Sequence, residues 1–148
     1  MVMSTPTRGR ARSDAELAAR LHLAVTRLGR RLRREVGDDV SPSQLSALAT
    51  VSRLGPLTTG ELSAAEGVRP PTMTKVVSAL AESGLVDRTV DPGDRRVVRV
   101  SVTPLGIRFL ERSRRRKDAF LTARLRALDP RDRVVLDQAA AILERLVD

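Results

Sequence analysis

A mainly α-helical chain carrying one small β-hairpin (α+β) is the fold class that this sequence predicts. Three observations predict it. Apolar residues recur at spacings of three and four in six separate stretches, and most stretches open on a helix-start signal. The period changes after Gly84, where Leu85 to Val90 are followed by Val98, Val100 and Val102 alternating with Arg99 and Ser101.

The first helix opens at Ser13-Asp14-Ala15-Glu16, a capping box, and carries Leu17, Leu21, Val25, Leu28, Leu32 and Val36 on one stripe before Gly37 ends it. Ser41-Pro42-Ser43-Gln44 repeats the signal with Pro at the first helical position, and Leu45, Leu48, Val51 and Leu54 follow until Gly55-Pro56. A short third helix begins at Thr58-Thr59-Gly60-Glu61 and stops at Gly67. Arg69-Pro70-Pro71 starts a fourth, with Met73, Val76, Val77 and Leu80 on one face until Gly84. Leu85 to Val90 and Val98 to Val102 then read as two strands. Asp91-Pro92-Gly93-Asp94-Arg95-Arg96 between them is a turn with a basic tip. Thr103-Pro104 caps a long fifth helix to about Ala127, and Asp129-Pro130 caps a sixth.

Composition bounds the function. The 148 residues suffice for one small head on a helical stalk. Hydrophobic residues make up 41% but aromatic ones only 1%, so the core is aliphatic. Net charge is +9, and all basic residues except Lys75 and Lys117 are arginine. A GC-rich coding sequence also favours Arg over Lys, but it does not explain the excess over Asp and Glu, which points to a polyanionic partner. With no cysteine and His22 as the lone histidine, neither thiol chemistry nor a metal or other cofactor is expected. No apolar run approaches the ~20 residues of a membrane span, so a cytoplasmic protein with a loose basic tail over residues 1–12 is expected.

A short helix, a tight Gly-containing turn and a second helix make a helix-turn-helix. The start of the fourth helix offers Arg69, Thr72, Thr74, Lys75 and Ser78 opposite its apolar side. Such a face suits the major groove, where hydroxyls and cations meet base edges and phosphates. Two adjacent arginines at a ribbon tip cost self-repulsion, which folding alone does not explain; they suit a narrow minor groove or the backbone. The expected architecture is therefore a winged helix-turn-helix head over 41–103, between long dimerisation helices over 13–36 and 104–148.

The stretch Leu57 to Thr103 resembles the MarR (multiple antibiotic resistance regulator) family. The likeness lies in Leu57-Thr58…Glu61-Leu62, Val68-Arg69-Pro70-Pro71-Thr72-Met73-Thr74, Gly84-Leu85-Val86-Asp87-Arg88, and Asp91-Pro92…Asp94-Arg95-Arg96…Val100-Ser101-Val102-Thr103. The resemblance implies a homodimeric transcription factor, most often a repressor at a pseudo-palindromic operator and often released by a small molecule. It puts Arg69 to Ser78, with Pro70 and Pro71, at the start of the recognition helix. Arg95 or Arg96 falls at the wing tip, with Asp94 orienting a wing arginine. Arg69 departs from the family, which usually has a capping Ser there; the loss costs about 1 kcal/mol.

The apolar stripes of the first and last two helices exceed what a small head can cover. A symmetric partner is the simplest cover, with Leu17, Leu21, Phe120, Leu121, Leu125, Leu128, Leu136, Ile142, Leu143 and Leu146 as the expected dimer surface. The cationic run from Arg112 to Lys117 points around its helix and reads as a solvated face. His22 is the one side chain whose ordinary titration falls near neutrality and is the candidate ligand contact. Besides an operator-specific regulator, the Arg excess fits an architectural DNA-binding protein with little sequence preference. Both imply a steep salt dependence, with a log–log slope of about −7 for roughly eight neutralised phosphates. An enzyme lacks any nucleophile–base pair, metal cluster or phosphate-cradling Gly loop in the sequence.

Overall fold

The computed structural model describes residues 13–35, 37 and 39–147. The expected tail over 1–12 and the stripe position Val36 lie outside the described residues. Six helices form in the expected order: α1 (Asp14–Arg34), α2 (Pro42–Leu54), α3 (Thr59–Glu66), α4 (Pro70–Glu82), α5 (Pro104–Arg126) and α6 (Pro130–Arg145). Reciprocal capping boxes open three of them, because a Ser or Thr oxygen accepts from the backbone three residues on while Glu or Gln reaches back. The pairs are Ser13 with Glu16, Ser41 with Gln44 and Thr58 with Glu61. The turn between α3 and α4 is closed by Gly67 at φ +61°, a left-handed conformation that a Cβ disfavours, and by the Val68 N–H bonding the Ser63 carbonyl at 3.0 Å.

The hairpin strands are β2 (Val86–Val90) and β3 (Val98–Val102), in antiparallel register with Val86 opposite Val102 and Val90 opposite Val98. A further strand, β1 (Leu57–Thr58), was not expected; it pairs with β3 to give the order β1-β3-β2. Two residues are too short to display alternation, yet they cover the edge of β3 that the hairpin leaves open.

One aliphatic core holds the head: Leu48 and Val51 of α2, Leu62 of α3, Met73, Val77 and Leu80 of α4, with Val86 and Val100 of the sheet, are almost fully buried. Each such side chain contributes roughly 1.5–3 kcal/mol of burial. Glu66 stitches α3 to α2 by accepting from the hydroxyls of Ser46 at 2.6 Å and Thr50 at 2.5 Å. The stalk is different, because α1 and α6 bury none of their described residues. Leu17, Leu21, Leu136, Ile142, Leu143 and Leu146 lie exposed along them, as do Leu125 and Leu128 at the end of α5, while Leu121 is half-buried. Phe120 departs from its expected place on a dimer surface. It is buried within its own chain, its ring flanked by the Arg31 and Arg124 guanidiniums at 4.7 and 3.4 Å from the centroid. An aromatic face attracts a cation, and here two stems cover the ring that a partner was expected to cover.

Among the described residues, no helix is long and apolar enough to cross a membrane, and no group of three or more acidic or histidine side chains is suited to hold a metal ion.

Candidate nucleic-acid interface

The fourth helix presents two unlike faces. Met73, Val76, Val77 and Leu80 turn into the core, which leaves Arg69, Pro70, Pro71, Thr72, Thr74 and Lys75 exposed. The side chains of Arg69, Thr72 and Lys75 make no hydrogen bond or ion pair among the described residues. Thr74 donates its hydroxyl to the Pro70 carbonyl one turn back at 3.0 Å, which leaves its oxygen able to accept. Ser78 differs from expectation: it is half-buried, and its oxygen accepts from Arg88 at 2.7 Å instead of facing outward unengaged.

Arg69 occupies the N-cap with extended backbone and no side-chain cap. Pro70 at the first helical position removes one orphan N–H, and the Thr72 and Met73 N–H groups share the Arg69 carbonyl at 3.0 Å each. Replacing Arg69→Ser is expected to raise stability by about 1 kcal/mol, seen as a melting temperature about 4 °C higher. A fall in melting temperature would contradict the missing-cap account.

The wing is braced by its own acids. Asp91 accepts from the Gly93 backbone N–H at 2.8 Å and from Arg99 Nε at 2.8 Å. Asp94 holds Arg96 three ways, through the backbone N–H at 3.0 Å, Nε at 3.1 Å and Nη2 at 3.2 Å. Glu61, already used in the cap of α3, stands 3.8 Å from Arg99 Nη1, so the base of the wing is tied electrostatically to the helix-turn-helix. Bonding to the Arg99 side chain holds the Asp91 carboxyl below its ordinary range, as bonding to Arg96 does for Asp94 and the Thr58 cap does for Glu61. Asp91 in turn raises the Arg99 guanidinium. Groups lowered in this way stabilise the fold above the ordinary carboxylate range and lose that effect only as pH falls through their depressed values, below about pH 4. The wing bracing is therefore constant across neutral pH.

Arg95 and Arg96 both stand exposed at the tip, but they differ. Arg96 is aligned by Asp94, whereas the Arg95 side chain has no partner among the described residues. Sequence reasoning missed Arg88, which bonds α4, and Arg99, which braces the wing from the other face of the sheet. The signal was present in the alternation, since Arg88 follows the buried Val86 by two and a strand places such residues on one face.

Elsewhere, His22 is exposed on α1. The cationic run on α5 spreads as expected: Arg112 lies over the Phe109 ring at 5.9 Å, Arg114 faces Asp118 at 4.0 Å, and Lys117 is half-buried. Beneath it, Asp39, Phe109, Arg112, Ser113 and Arg116 line a hollow. The Ser113 hydroxyl is buried without a hydrogen-bond partner.

A sequence profile of the MarR family matches residues 40–98. The chain is 46% identical over 137 residues to an uncharacterized HTH-type transcriptional regulator of Mycobacterium bovis, covering 92% of this chain and 96% of that relative. Among solved structures, a protein from Pseudomonas aeruginosa aligns with a TM-score of 0.83 at 36% identity, covering 94% of this chain and 99% of its own. A MarR family protein from Bacillus stearothermophilus aligns at 0.76 and 27% identity, covering 94% and 98%.

Proposed function

The chain belongs to the MarR family, and from that membership we propose that it is a sequence-specific, DNA-binding transcriptional regulator working in the cytoplasm as a homodimeric repressor. Arg69 to Lys75 enter the major groove, Thr72 and Lys75 reading base edges and Arg69 meeting a phosphate. The Arg95 and Arg96 tip follows the backbone or the minor groove. The observation that carries this reading is the direct hydrogen bond between Arg88 of the wing and Ser78 of α4, which joins the exposed helix face to the basic ribbon in one head.

Two heads are brought to one pseudo-palindromic operator by the bare apolar faces of α1, α6 and the end of α5. The hollow at Ser113 suits a small effector with a polar group to meet that hydroxyl and an anionic or π-rich body to meet Arg112 and Phe109. No catalytic step is assigned to the chain.

Selection of random duplexes with purified protein at physiological salt tests the reading. An operator-specific regulator enriches one two-fold-related site with a specificity ratio above about 10³. A ratio below roughly tenfold contradicts it and favours an architectural DNA-binding protein, the alternative that the +9 charge supports.

A further inference from the structure

We infer that Arg88 and Ser78 form a preassembled seat for one DNA phosphate at the junction of the recognition helix and the wing. This rests on the DNA-binding function proposed for the chain and assigns Ser78 a positioning role instead of base contact.

Directly opposed residues in an antiparallel pair share a sheet face, and Arg88 lies opposite Val100, a fully buried core residue. Along β2 the same face runs from Val86, which is buried, through Arg88 to Val90, which is 56% exposed. Arg88 thus sits where the inner face of the ribbon leaves the head. Its guanidinium reaches α4, where Nη2 donates to Ser78 Oγ at 2.7 Å. Ser78 is one turn beyond Thr74 and two beyond Pro70, so the guanidinium stands at the foot of the exposed stripe of the recognition helix.

The choice of acceptor matters. Arg96 and Arg99 are each paired with a carboxylate, which offsets their charge, whereas Arg88 is held by a neutral hydroxyl and keeps its full charge. One N–H of five is spent on Ser78, leaving a planar fork that matches two phosphate oxygens. Because the side chain is already oriented, little rotamer freedom is lost on binding. A helix in the major groove and a ribbon at the adjoining minor groove have a sugar-phosphate strand between them, and Arg88 places a cation where α4 and the ribbon meet.

The test uses the full chain on its selected operator and on an unrelated duplex, with affinity measured from low to moderate salt. Arg88→Ala and Arg88→Gln are expected to weaken binding to both duplexes about tenfold and to flatten the log–log salt slope by about two, one contact per subunit at about 0.9 each. The enriched sequence stays the same. Ser78→Ala weakens binding a few-fold in the parent chain and has no effect in the Arg88→Ala background. An unchanged salt slope in both Arg88 variants overturns the inference, as does a Ser78→Ala effect that persists without Arg88 or changes the preferred bases. Should the parent chain itself fail to bind duplex DNA, the proposed function falls, and this inference with it.

Discussion

Gly106→Ala is expected to lower the melting temperature by about 10 °C, the largest effect of a methyl added at any of the described glycines. A Cβ built at Gly106 stands 2.2 Å from the Leu85 carbonyl oxygen and 2.8 Å from Val102 Cγ2. The first obstacle is backbone, so no side-chain rotation relieves it. The same carbonyl accepts from the Thr103 N–H at 3.1 Å, and the Thr103 hydroxyl donates to the Gly84 carbonyl at 2.7 Å while accepting from the Gly106 N–H at 3.0 Å. Moving the first turn of α5 away therefore breaks the joint between the wing and the stalk. Overpacking of this kind costs about 3 kcal/mol, which corresponds to about 10 °C for a chain of this size. Gly60→Ala is the control, since its Cβ would meet only Thr58 Oγ1 at 3.9 Å. It is expected to stabilise α3 by up to about 1 kcal/mol. Thermal unfolding at one fixed protein concentration checks both, and equal melting temperatures for the two variants would contradict the close packing at Gly106.

The second large effect is expected from charges on the bare stalk. Leu136 and Ile142 are 46% and 51% exposed on α6, a helix with no buried residue, and neither belongs to the core of the head. Leu136→Glu with Ile142→Glu should leave the head folded while giving a monomer. Burying two unpaired carboxylates against an apolar partner costs several kcal/mol per ion. DNA affinity should then fall by 10² or more, because the second half-site contact loses the effective concentration that linkage provides. Sedimentation and operator binding measured together check this. A variant that remains dimeric would remove α6 from the interface, and a monomer that binds as tightly as the parent would remove the need for pairing.

Much of the fold was legible in the sequence because its boundaries are chemical. Ser13, Ser41 and Thr58 each precede by three a Glu or Gln that can return the hydrogen bond, and Gly67 and Gly84 stand where left-handed backbone ends a helix. The exposed face of α4 was legible from its apolar period, and the resemblance pointed to Asp94 orienting a wing arginine without distinguishing Arg95 from Arg96, the residue that it aligns. Features that depend on contacts distant in sequence were not legible. Ser78 resembles a base-reading residue until Arg88, on another element, is seen to occupy it. Phe120 matches the apolar stripe, but two arginine stems already cover it. Nothing local marks Gly106, whose constraint is a carbonyl from the end of another turn.

The central claim is that two copies of the α4 face and the wing address one duplex. Hydroxyl-radical footprinting of the parent chain on its selected operator tests it most directly. The account predicts two equivalent protected segments related by a two-fold axis, about one helical turn of DNA between their centres, each flanked by minor-groove protection where a wing tip lies. A single unpaired protected segment, or uniform protection without a two-fold centre, would contradict it.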